Sequence, residues 1–461
     1  MQRPFEGIRV IDATHVLAGP FAAYQLAVLG ADVIKVEHPL DPDQSRLTGP
    51  DRTLGKRQMG TSYLTQASNK RSLTLDLKQA AGQDVFKKLV ATADVLVENY
   101  RPGALDALGL GYETMAAINP RLIYASMSAF GQRGPRAQQT AYDYVIQATS
   151  GIMAMTGTPE VNPIKFGSPA IDYATGTTGA FALASALFQR ERTGRGQRID
   201  LAMLDVAMIL MGSHLTGYLR NGQHPKPNGN VNERATASCY ATRDGLLMLG
   251  ASNMRQYRRF WRVLGRPDLI QPSVEAREHA RTAETALIAE FLMERSAAEW
   301  EDFFQSRHVP AARVRSMGEA LEDPHLAGRG VTHRHTGAAD VEGAFTRPAR
   351  RYPAARAWRA HGRDSGRPRL QRSRAAATAR RARHLRVAPS WVHCCGAIFS
   401  AKKRHLAPRP RIVRPLSRCC KSKISSLMRG AGVSSTRPAS ACRQGSRSGS
   451  SDATASARPR C

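Results

Sequence analysis

Between residues 8 and 128 a short apolar run recurs, each time followed by a turn and usually by a helix-length stretch. This alternation constrains the fold more than any other feature. IRVID (8–12) precedes the turn THVLAGP and the helical stretch FAAYQLAVLG; ADVIKVE, RSLTLDL, DVLVEN and RLIYASMS follow, with AGQDVFKKLVATA as a further helix among them. Strands that are apolar at nearly every position are covered on both faces, so the pattern predicts a parallel, doubly wound α/β sheet of Rossmann-like form. Such sheets bind ligands at the carboxyl ends of their strands, which singles out the loops at 13–20, 38–47, 99–103 and 128–136. The first turn lacks G-x-G-x-x-G; it offers Gly19 and then Pro20, a plausible first helical residue, so a helix N-terminus could still meet a phosphate there.

Residues 173–220 read as helices interrupted by the strand QRIDLAML. NGQHPKPNGNVNERAT (221–236) reads as a loop, ASCYATRDGLLMLGAS as a hairpin turning at RDG, and MRQYRRFWRVLGRPDL and 284–305 as amphipathic helices. The expected organisation is a large α/β domain over 1–220, a smaller α+β domain over 221–330, and a return segment at 331–346.

The net charge of +30 suggests nucleic acid or a membrane surface until its location is considered. Residues 1–346 hold 38 Lys/Arg against 35 Asp/Glu, whereas 347–461 hold 29 against 2. The basicity belongs to an Arg/Ala/Pro-rich, low-complexity tail. Three readings of that tail compete: a disordered basic arm touching nucleic acid non-specifically, a linker, and a shifted reading frame beginning near Thr346, which its composition favours. Cys239 stands alone before the tail and the other six cysteines lie within it, which speaks against a disulfide framework. Adjacent pairs such as Cys394–Cys395 lack metal-ligand spacing, so no metal is expected. With no apolar leader and no run long enough to span a bilayer, the expectation is a cytoplasmic protein without a membrane partner.

GSPAIDYATG (167–176) sets one acid, Asp172, between an apolar run and a Gly/Thr-rich helix start. From the residues alone Asp172 either caps that helix or is a carboxylate presented for chemistry. No P-loop, HExxH helix or GxSxG elbow competes with it. Met203, Met208 and Met211 share one helical face and read as core packing.

Several stretches, in order, resemble the class III (CaiB/BaiF, formyl-CoA transferase-like) CoA-transferases. They are GIRVIDATHVLAGPFAAYQLAVLGADVIKVEHP, NKRSLTLDLK, VENYRPGALDALGLGYETMAAINPRLIYASMSAFGQRGP, YDYVIQATSG and RTGRGQRIDLAMLD. The likeness runs from about residue 5 to 346, still legible at DPHLAGRGV, and stops at the tail, which lacks the family's usual ending. It implies an interlocked-ring homodimer and an enzyme that moves CoA from an acyl-CoA thioester to an acceptor carboxylic acid, coenzyme A being substrate rather than a resident cofactor. Asp172 is then the nucleophile, held ionised by the helix N-terminus, with nearby glycines freeing backbone N–H donors for an oxyanion. By position, Val16, Leu17, Ala18, His38, Leu75, Lys78, Asn99, Tyr100 and Arg101 would meet CoA. His38 stands where relatives often carry an arginine. His15, Tyr142 and Asp143 would support the site, although for His15 and Asp143 a purely structural role is an equal reading. The related α-methylacyl-CoA racemases carry a histidine where this chain has Tyr142, 30 positions before Asp172. A phenol is a poor base for an α-proton, so the racemase reading is the alternative rather than the preference.

Overall fold

The computed structural model describes residues 3–335 and 341–344. Five of the strands are the apolar runs anticipated above: β1 (Arg9–Ala13), β2 (Asp32–Glu37), β3 (Lys70–Thr74), β4 (Val95–Glu98) and β5 (Ile123–Ser128); β6 (Gln197–Ala202) is the sixth. They form one sheet in the order β3-β2-β1-β4-β5-β6, and every pair is parallel. The order reverses between β1 and β4, where the loops leaving the two strands diverge and open a crevice.

Alternate side chains along each strand enter two different cores, which is why the runs are apolar without a break. Val10, Val33, Val95, Val97 and Ile123 pack under α1 (Ala18–Val28) and the long helix Ala170–Thr193, through Ala22, Leu26, Leu183 and Leu187. Ile11, Ile34, Val36, Leu96 and Tyr124 pack on the opposite face against Phe86, Val90 and Met115. Helix α1 begins at Ala18, so Pro20 is its third residue rather than its first. Proline is tolerated there because an N–H in the first turn has no intrahelical partner to lose.

Residues 223–234 carry neither helix nor strand. Beyond them β7 (Cys239–Ala241), β8 (Leu246–Leu249) and β9 (Ala311–Arg313) form a small antiparallel sheet. It has its own core of Tyr257, Phe260, Trp261, Ile288, Trp300 and Phe304. In the return segment, β10 (Thr332–His335) pairs antiparallel with β11 (Val341–Ala344). All described residues fall within a compact unit spanning Met1–Arg367; the tail 347–461, with the disordered, linker and frameshift readings of it, lies outside the described residues. Among the described residues no helix is long and apolar enough to cross a membrane, and no group of His, Cys, Asp and Glu could hold a metal ion.

Candidate active site

A cleft of about 550 Å³ opens at the β1/β4 reversal. The loop after β1 gives it His15 to Gly19, the loop after β4 gives Asn99, Tyr100 and Arg101, and the end of β5 gives Met127 to Ala129. Tyr142, Asp172, Thr175 and Met203 complete the far wall. Three of the four anticipated loops therefore line it. The fourth, 38–47, contributes no lining residue and instead supports the first from below.

Asp172 is the third residue of the helix Ala170–Thr193, here α3, and is only 9% exposed. It does not cap the helix. That role belongs to Asp143, at the start of α2 (Asp143–Ser150), whose Oδ2 accepts the N–H groups of Ile171 (2.8 Å) and Asp172 (3.0 Å). Gln147 donates to the other Asp143 oxygen and accepts from the Phe166 N–H at 2.8 Å, which fixes the capping carboxylate. Among the described residues Asp143 makes no ion pair. The expectation that the helix start holds Asp172 ionised is thereby corrected: its free N–H groups are taken by another acid. Burial, and then the charge of Asp143, push the Asp172 carboxyl up to about 7. No hydrogen bond or ion pair to the Asp172 carboxylate is formed among the described residues, and it faces the cleft.

The glycine after Asp172 also has a different task from the one anticipated. A Cβ on Gly176 would lie 2.8 Å from the Ala18 carbonyl oxygen and 2.9 Å from Phe21, so Gly176 lets α3 approach α1 rather than exposing donors. The first turn of α1, by contrast, has no side-chain cap and lines the cleft at Ala18 and Gly19. Gly19 is required there, because a Cβ would meet Thr14 Cγ2 at 2.6 Å.

The turn leading into α1 is held on every side. Asn99 accepts from the His15 N–H and donates to the His15 carbonyl, both at 2.8 Å. Gln66 donates to the Val16 carbonyl at 3.0 Å, and Asp43 accepts from the Val16 N–H at 3.1 and 3.2 Å. Lys35 donates to the Thr14 carbonyl at 2.7 Å and lies 3.1 Å from Asp43. Beside this pair run two more buried ion pairs, Lys70–Asp12 at 2.7 Å and Arg46–Glu37 at 2.6 Å. Burial alone would raise the carboxyls of Asp43, Asp12 and Glu37, but the neighbouring cations outweigh it and hold all three below the usual range.

The family model described as CoA-transferase family III matches residues 5–370. The chain belongs to that family. The match continues past Arg347, so the likeness does not stop at the compositional break, as the motifs alone suggested. The chain is 36% identical over 337 residues to the succinate–glutarate CoA-transferase of Agrobacterium fabrum, covering 71% of this chain and 84% of that one. It is 37% identical over 334 residues to the acetyl-CoA:oxalate CoA-transferase of Acetobacter aceti, covering 71% and 85%. Among solved structures, a CAIB/BAIF family protein from Brucella suis superposes with a TM-score of 0.65 at 32% identity, over 76% of this chain and 97% of that one.

Within this family III fold the residues nominated from the sequence divide into two groups. His15, Val16, Leu17, Ala18, Asn99, Tyr100, Arg101, Tyr142 and Asp172 meet at the cleft. His38, Leu75 and Lys78 do not line it; they lie just beyond the ends of β2 and β3, towards the sheet edge. His38 Nδ1 accepts from the Leu40 and Asp41 N–H groups, and Nε2 turns towards Asp76 at 3.6 Å, beyond hydrogen-bond distance. Leu75 packs against the core beneath β2, and Lys78 is exposed. His15 turns Nε2 towards the Tyr100 hydroxyl at 3.4 Å, and burial together with Lys35 lowers its pKa, keeping it neutral. Tyr142 is half-exposed and its hydroxyl accepts from Gln44 at 3.2 Å.

Sequence reading missed Asp43, Gln66, Lys35 and Glu98. The last is a buried carboxyl that accepts the Tyr100 N–H at 2.9 Å and is pushed up to about 7 by burial. Lys35, Glu37 and Glu98 carried a usable signal, since a charge inside an otherwise apolar central strand must find a partner or a task.

Proposed function

We propose that this family III member moves CoA from an acyl-CoA donor to an acceptor carboxylic acid, with Asp172 as the covalent carrier. The observation that supports the reading is the Asp172 carboxylate: buried at the cleft, relieved of the capping role by Asp143, and without a partner of its own among the described residues. An Asp172 oxygen attacks the thioester carbonyl carbon, the C–S bond breaks, and CoA leaves as thiolate, giving a mixed anhydride. The thiolate then attacks the Asp172 carbonyl carbon and expels the donor acid, leaving an aspartyl-CoA thioester. The acceptor carboxylate attacks that carbonyl and releases the thiolate again. Attack of the thiolate on the acceptor's carbonyl finally frees Asp172. No proton changes hands, so the site needs a nucleophile and oxyanion donors rather than an acid–base pair. A pKa near 7 leaves about half of Asp172 ionised at neutral pH, as a more basic carboxylate than an exposed one. The uncapped start of α1 supplies N–H donors for the oxyanion.

The nucleotide part of CoA would run from the cleft across the ends of β2 and β3, past His38, Leu75 and Lys78, with Arg101 meeting phosphate at the cleft mouth. Relatives named for succinate, glutarate and oxalate make small dicarboxylic acids the first substrates to try, with succinyl-CoA as donor. The second half of the proposal is a homodimer. Phe181 is 74% exposed, Phe188 61% and Leu219 75%, a density of bare apolar side chains that a partner copy would cover. Sedimentation velocity reads this directly, and a monomer at micromolar concentration would refute it.

The carrier role is tested by trapping. The protein is incubated with succinyl-CoA, quenched with hydroxylamine and mapped by peptide mass spectrometry beside Asp172→Ala. A hydroxamate at Asp172 in the native chain, absent in the variant, is the expected result; transfer activity surviving Asp172→Ala would sink the proposal.

A further inference from the structure

Val16 is β-branched, yet its φ is 73°, in the left-handed region that such side chains avoid. Nothing in its own chemistry favours this, so the conformation is imposed from outside. Gln66 holds its carbonyl and Asp43 holds its N–H, and Asp43 is the only described group on that N–H. Asp43 is itself held from several sides. It is 1% exposed, accepts from the Ser45 N–H at 3.0 Å and the Ser45 hydroxyl at 2.8 Å, and pairs with Lys35, whose ammonium grips the carbonyl two residues before Val16. Beyond Val16 the chain enters α1 directly, so the angle at Val16 sets where the open N–H groups of Ala18 and Gly19 stand in the cleft.

We propose that Asp43 is a positioning residue for the ligand: by clamping Val16 in the left-handed conformation it presets the main chain of the β1–α1 turn for acyl-CoA. This rests on the acyl-CoA reading of the cleft. Asp43 touches no ligand itself. Without the clamp, Val16 relaxes towards ordinary backbone angles, and the ligand must restore the turn each time it binds.

The experiment is a double-mutant cycle on the full chain, read by calorimetry with free CoA and by steady-state transfer from succinyl-CoA. Asp43→Ala, which leaves no side-chain acceptor for the Val16 N–H, is expected to weaken CoA binding about tenfold, the scale of one strained backbone angle, and to raise KM while kcat at saturating donor stays within about threefold. Glycine adopts a φ of this sign without strain. In the Val16→Gly background, therefore, the same Asp43→Ala change is expected to cost less than about threefold, whatever Val16→Gly does alone. An equal loss in both backgrounds overturns the proposal, because Asp43 would then support the fold generally. So does an unchanged affinity in Asp43→Ala. Should Asp43→Ala not fold, Asp43→Glu, which keeps a charge for Lys35 but displaces the acceptor, is carried through the same cycle. A native chain that gives no heat with CoA removes the acyl-CoA reading and this inference with it, and is recognised because the deficit precedes any mutation.

Discussion

The two sides of the cleft are built on opposite electrostatic terms. On the β1–β3 side, Asp12, Glu37 and Asp43 face Lys70, Arg46 and Lys35, all of them buried and all paired. On the β4–β6 side, Asp172 and Glu98 are buried too, but no cation pairs with either among the described residues, and both are pushed up to about 7. The first arrangement ties the turn after β1 to its neighbours; the second leaves two buried carboxyls without a cation, at a cost to the folded state. The function proposed above places binding on the satisfied side and chemistry on the unsatisfied one.

The sharpest way to break that comparison is to remove a cation from the paired side. Arg46 meets Glu37 through two hydrogen bonds, of 2.8 and 2.6 Å, and also donates to Tyr63. Arg46→Met strands Glu37 in a dry interior and is expected to destabilise the fold by about 3–5 kcal/mol in urea unfolding. Breaking the solvent-exposed Arg243–Glu299 pair by Arg243→Met is the control, expected to cost under about 1 kcal/mol. Similar losses from the two variants would mean that the buried network is not holding the turn.

On the unpaired side a substitution should do the reverse. The folded pKa of Asp172, about 7, lies above its ordinary 3.8, so the folded chain holds that proton more tightly than the unfolded chain does. The associated stability is complete below pH 4 and is lost as pH rises through 7. Asp172→Asn, neutral at every pH, is therefore expected to match the native chain near pH 4. Above pH 7 it should exceed it by roughly 2–4 kcal/mol, while losing CoA transfer. Melting curves across that range decide it; a gain that does not grow with pH would show that Asp172 is better solvated than its burial implies.

The strands of the large sheet were legible because burial on both faces writes an unbroken apolar run, and Asp172 stood out as the lone acid between an apolar run and a Gly/Thr-rich helix start, where a cap and a presented carboxylate were both open until the family resemblance favoured the second. What surrounds that residue was not legible. Asp143 reaches Asp172 from 29 positions away, and Asp43 reaches Val16 across 27, through folding that no local spacing encodes. Glycine misled for the same reason. Gly176 reads as a flexible turn beside an acid, yet it is a contact point between two helices that are far apart in the chain. The left-handed Val16 left no mark at all, since glycine would be the residue expected at such an angle.

The smallest effect separates the two causes of the Asp172 shift. Burial comes first and the Asp143 charge second, so Asp143→Asn removes only the second. An asparagine oxygen can still accept from the Ile171 and Asp172 N–H groups, which keeps the helix capped, while its amide meets the Gln147 amide, which can turn to accept from it only by giving up the Phe166 N–H. The trapping rate at Asp172, which follows the ionised fraction, rises through about pH 7 in the native chain. In Asp143→Asn its midpoint should move to lower pH but stay above the ordinary carboxylate range, because burial remains. An unmoved midpoint would mean that the two N–H groups already cancel the Asp143 charge at that distance. The contrast between the two sides of the cleft would then rest on desolvation alone, and Asp143 would be a helix cap with no influence on the carboxylate it sits beside.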